Sequence, residues 1–61
     1  MPQYIIYIDC GYEDEYEEVS AENEEEANKI AYKRWREEAE VQAGYGVIGE
    51  ATDDLREEFL S

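Results

Sequence analysis

The sequence predicts a small α+β domain: a β-hairpin, one main helix packed across it, a third strand, and a short C-terminal helix or a frayed tail. Three observations predict it. Residues 4–8 (YIIYI) are β-branched and aromatic, as a strand requires. Residues 23–35 carry an apolar stripe at helical period behind a capping residue. Residues 45–51 (YGVIGEA) return to strand-like composition just after a glycine.

Within the first strand, alternation sets Tyr4, Ile6 and Ile8 on one face and Ile5 and Tyr7 on the other. Both sets are apolar, so this strand is expected at the centre of the sheet. One face should lie under the helix and the tyrosine-bearing face towards solvent or a partner. Residues 9–15 read as the turn, where Gly11 can take a positive φ. The return strand is expected from Glu15 or Tyr16 to Ala21, with Val19 and Ala21 towards the helix and Tyr16, Glu18 and Ser20 away from it. Glu13, Asp14, Glu15, Glu17 and Glu18 make this strand a poor template for pairing with another edge, because like charges would be brought together.

Asn23 is a good N-cap, and Glu26 three residues on completes a capping box. Glu24, Glu25 and Glu26 place negative charge at the positive end of the helix dipole. Ala27, Ile30, Ala31 and Trp35 form the apolar stripe. Arg34 and Glu38 share the azimuth of Ala27 and Ala31, so the helix overhangs the sheet there or their long side chains snorkel at its rim. The helix should end between Ala39 and Ala43, with Gly44 as a stop. A crossover from the hairpin then leaves the third strand, weakened by two glycines, parallel to one hairpin strand. Residues 52–60 can cap on Thr52 or Asp53 and bring Leu55 and Phe59 together at i, i+4, giving a short helix or a frayed tail.

A chain of 61 residues makes one domain, 1–61, and a chain of this size buries only about 60% of its unfolded surface. Eighteen acids against five bases give a net charge of −13, which by itself is the mark of a disordered chain. Eight aromatics and two sharply patterned segments argue instead for a folded, strongly anionic domain. Cys10 is the only cysteine, so the chain can form no internal disulfide, which suits a reducing cytoplasm. There is no basic segment leading into an apolar run at the N-terminus, and the longest aliphatic stretch is too short to span a bilayer. The expected location is cytoplasmic, with no membrane contact.

Catalysis is not expected. Histidine is absent, Cys10 lacks a histidine to activate it, and no nucleophile elbow, phosphate loop or zinc-binding helix motif occurs. The acidic turn does not match the spacing of a calcium loop. No cofactor and no metal are therefore expected.

The charge layout is more informative. Residues 9–26 hold ten acids and no base; Lys29, Lys33, Arg34 and Arg36 follow; residues 37–58 add eight acids against Arg56. Intrahelical pairing at i, i+4 (Glu25–Lys29, Lys33–Glu37, Arg34–Glu38, Arg36–Glu40) is enough to account for the helix bases. Solubility and edge protection are one reading of these acids; they explain a few surplus charges more easily than thirteen, and self-repulsion at this density lowers the stability of a small domain. Carboxylates strung along a strand and a helix N-terminus can stand in for the phosphates of DNA or RNA in a partner's basic groove. The expected partner is a basic nucleic-acid-binding protein rather than nucleic acid itself. Glu13, Asp14, Glu15, Glu17 and Glu18 would supply the charge, with Tyr7 and Tyr16 as anchors, since tyrosine among charged residues is favoured at interfaces. The alternative is a self-associating accessory module, a homodimer using the Ile5/Tyr7 face or the strand edges.

Val19, Ala21, Glu22, Glu26, Ala27, Ile30, Ala31 and Trp35, set in a strand–turn–strand–helix–strand order over residues 4–50, resemble in layout a group of small bacteriophage proteins. These include phage inhibitors of host RNA polymerase and anti-CRISPR-type proteins with a hairpin–helix–strand plan. The resemblance implies a phage-encoded, non-enzymatic protein that blocks a host nucleic-acid machine by binding it. The acid-loaded second strand and the acidic tail depart from that group, and no functional residue is carried across.

Overall fold

A computed structural model describes residues 1–9, 14–38 and 44–60. The elements run β1 (Gln3–Asp9), β2 (Asp14–Ser20), α1 (Glu24–Glu38), β3 (Gly44–Glu50) and α2 (Asp53–Leu60). The α+β plan, the central first strand and the short terminal helix all appear as expected, each strand a residue or two from its sequence-based limits. The turn residues 10–13 and the expected helix end at 39–43 lie outside the described residues. Gly44 opens β3, at a φ of +156°, a conformation that favours glycine.

The sheet has the order β2-β1-β3 and is antiparallel throughout. β3 therefore runs parallel to β2, one hairpin strand, but β1 lies between them. Tyr7 stands opposite Tyr16 in the β1–β2 ladder. In the β1–β3 ladder Ile5 faces Gly49 and Ile6 faces Val47, so Ile48 is the extra residue of a β-bulge.

Two helices cover the two faces. On one face Ile6, Val19 and Ala21 meet Ala27 and Ala31 of α1, all buried, with Tyr4, Ile30, Tyr45 and Val47 packed around them. The two alanines present no long side chain, so α1 can lie close on the strands. Trp35 stacks against Tyr45, with ring centroids 5.3 Å apart, and Tyr32 closes the cluster at 5.3 Å from Tyr45. Asn23 caps α1 as expected, its Oδ1 accepting from the Glu26 N–H at 2.9 Å. The other half of the capping box is replaced: the Glu26 carboxylate takes Lys29 Nζ at 3.3 Å.

α2 lies over the opposite face. Its first turn is capped by Thr52 Oγ1, which accepts from the Leu55 N–H at 3.2 Å. The Phe59 ring stacks on Tyr16 with centroids 4.9 Å apart, and Leu55 lies beside Gly49. Ile5, paired between Glu18 and Gly49, is fully buried beneath it. The expectation that the Ile5/Tyr7 face would open to solvent or a partner is corrected here, because the amphipathic tail folds back on that face. No described helix is long and apolar enough to cross a membrane.

Candidate partner-binding surface

β2 positions the acids singled out from the sequence, and its alternation divides them. Glu15 and Glu17 share the α1 side with Val19, while Asp14, Tyr16 and Glu18 share the α2 side. Glu13 lies outside the described residues.

Two of these acids form ion pairs within the chain. Glu17 receives Arg34 Nη1 at 3.0 Å. Glu18 receives Arg56 Nε at 2.6 Å, and the same guanidinium reaches Asp53 at 3.2 Å. Arg34 thus brings its charge across the sheet rim to Glu17; the Glu38 side chain lies outside the described residues. The Arg56 guanidinium is held above its ordinary value, first by its hydrogen bond to Glu18 and then by that carboxylate's charge. It stays cationic wherever the protein is folded.

Asp14 and Glu15 stand exposed. The Tyr16 hydroxyl donates to Asp14 Oδ2 at 3.3 Å. Burial first, and then the Asp14 charge and this hydrogen bond, push the Tyr16 phenol above its usual value. The Tyr7 ring lies directly over Gly46, where an added Cβ would come within 2.7 Å of it. Tyr7 and Tyr16 are therefore neighbours, as expected, but each is half covered by its own chain.

On the α1 side, Ile8, Glu15, Tyr16, Glu17 and Arg34 line an open groove of about 440 Å³. Ile8 is buried behind it, and its carboxylate outside the Arg34 pair is Glu15.

The fold also brings in acids that the sequence reading did not place on the surface. α2 carries Asp53, Asp54, Glu57 and Glu58, all exposed, and its packing on β2 sets them on the side of Asp14. The signal was present in Arg56, the lone base of an acidic tail, which had to find its carboxylate somewhere. Comparison with protein-family models, with curated proteins and with solved structures finds no match to this chain.

Proposed function

We propose that this chain is a non-enzymatic, phage-encoded acidic binding protein that occupies the basic surface of a host nucleic-acid-binding protein, as a nucleic-acid mimic would. The observation that carries the reading is the joining of two acidic segments. β2 offers Asp14 on the α2 side and Glu15 on the α1 side, and α2 adds Glu58, next to the Phe59 that stacks on Tyr16, with Asp53 and Asp54 at its other end, all exposed. Exposed carboxylates on both sides of β2 and along α2, in a body of net charge −13, steer and hold lysine and arginine as phosphates do. Glu17 and Glu18 then keep the surface in shape through Arg34 and Arg56. In the groove, a basic side chain of the partner would bring its charge to Glu15.

The test is capture from a bacterial lysate with and without excess double-stranded DNA, repeated with the Asp14→Lys, Asp53→Lys double variant. The expected result is a nucleic-acid-binding protein that DNA displaces and the variant fails to hold, with a flatter dependence on salt. Capture indifferent to both DNA and charge reversal would overturn the reading.

A further inference from the structure

The two edges of the sheet differ sharply. Four of the seven residues of β2 are acids, so another strand approaching that edge meets a row of carboxylates. β3 has no charged side chain from Gly44 to Gly49, and among the described residues it pairs on one side only, with β1.

The phase of the ladder fixes which backbone groups β3 leaves open. The Ala51 N–H donates to the Gln3 carbonyl at 2.7 Å, so the odd-numbered residues of β1 turn their backbone groups towards β3. Their partners Gly44, Gly46 and Gly49 face inward. Tyr45, Val47 and Glu50 therefore present N–H and C=O on the outer side, and each of these groups needs a partner or water. The bulge at Ile48 limits the flat stretch to Gly44–Val47, long enough for a short strand to add.

We propose that the β3 edge docks an extended segment of a basic partner protein, which adds as a fourth strand through main-chain hydrogen bonds at Tyr45 and Val47. Charge decides the occupant. A second copy would bring another −13 to the same contact, whereas a lysine- or arginine-bearing segment is drawn to it. At the far end of the strand, exposed Glu50, Asp53 and Asp54 give that segment's flank its carboxylates. The proposal rests on the reading of a basic partner, but it places the docking register on β3 and leaves to the acids of β2 and α2 the steering.

The experiment uses a seven-residue peptide alternating lysine with valine, matched to the length of β3, and the same peptide N-methylated at alternate amides. N-methylation keeps every charge and removes the main-chain donors that strand addition needs. Binding to the full chain is read by calorimetry and by amide shifts at Tyr45, Val47 and Glu50. The plain peptide should bind with shifts on that edge, and its N-methylated form about tenfold or more weaker, the loss expected for two or three missing hydrogen bonds. Val47→Pro, which removes an outward N–H, should cost a similar factor in a chain whose circular dichroism is unchanged. Equal, salt-sensitive binding of the two peptides would overturn the edge proposal and leave the basic-partner reading standing. Absence of binding by either peptide would count against both. A concentration-dependent dimer abolished by Val47→Pro would give the edge to a second copy and sink the proposal.

Discussion

The two faces of the sheet are closed by different means. α1 covers its face with Ala27 and Ala31 pressed on Ile6, Val19 and Ala21, a cluster of aliphatic side chains. α2 contributes no buried side chain of its own, yet Ile5 beneath it is as fully buried as Ile6. It seals by edges: Leu55 near Gly49, Phe59 on Tyr16, Arg56 on Glu18. The first face is held by close packing, which has no substitute when lost. The second is held by a few peripheral contacts around one isoleucine, which can open locally without dissolving the domain. In a chain of 61 residues this division separates what folds the protein from what shapes its acidic surface.

Ile6→Ala should have the largest effect, because it removes buried methyl groups from the close-packed face. The expected loss is about 2–5 kcal/mol, comparable to the whole stability of a domain this small. Ile5→Ala is the sharper comparison. Equal burial predicts a similar loss if α2 is a tight roof, whereas a loss under about 1 kcal/mol in urea denaturation would mean that α2 is often open. Gly46→Ala comes next at about 1–3 kcal/mol, since the new Cβ would collide with the Tyr7 ring unless that ring moves. A neutral result would show that Tyr7 shifts freely, and with it part of the α2 face.

Phe59→Ala should cost less, about 1–2 kcal/mol, because the ring is only half buried. Its effect should also be local. Hydrogen exchange is expected to quicken through α2 while the amides of α1 keep their protection. Quickening in both helices together would break the distinction between the faces.

Much of this was legible in the sequence, and the reasons are specific. Tyr4-Ile-Ile-Tyr-Ile8 carries apolar side chains at both phases of a two-residue period, which only a central strand can bury. Asn23 marks the start of α1 by local chemistry, so its position needed no tertiary information. Arg34 pointed inward by helical azimuth, and its reach to Glu17 is the snorkelling that azimuth implied. The seat of α2 was not legible, because Leu55 and Phe59 at i, i+4 declare an apolar side without saying what it covers. The bulge at Ile48 was equally hidden, since it exists only in the register between β3 and β1. For the candidate surface, the acids of β2 were visible as a run, but their division into paired and exposed members depended on where Arg34 and Arg56 landed.

The smallest expected effect is also the most selective probe of the α2 face. The Tyr16 phenol is raised above its ordinary value by burial and, to a lesser extent, by Asp14, so folding favours its protonated form. A raised value means that Tyr16 adds to stability below the unfolded phenol value of about 10, and that this contribution is lost as the pH climbs through the folded value. α2 should therefore loosen before α1 does as the pH rises above about 10, and the Tyr16 phenolate should appear above the ordinary tyrosine value by phenolate absorbance. Because burial is the larger cause, Phe59→Ala should bring Tyr16 further down than Asp14→Asn does. If Asp14→Asn proves the more effective of the two, the cover over Tyr16 is electrostatic and α2 does not seal that face. If neither variant moves it, the ring of Phe59 is not seated on Tyr16 in solution.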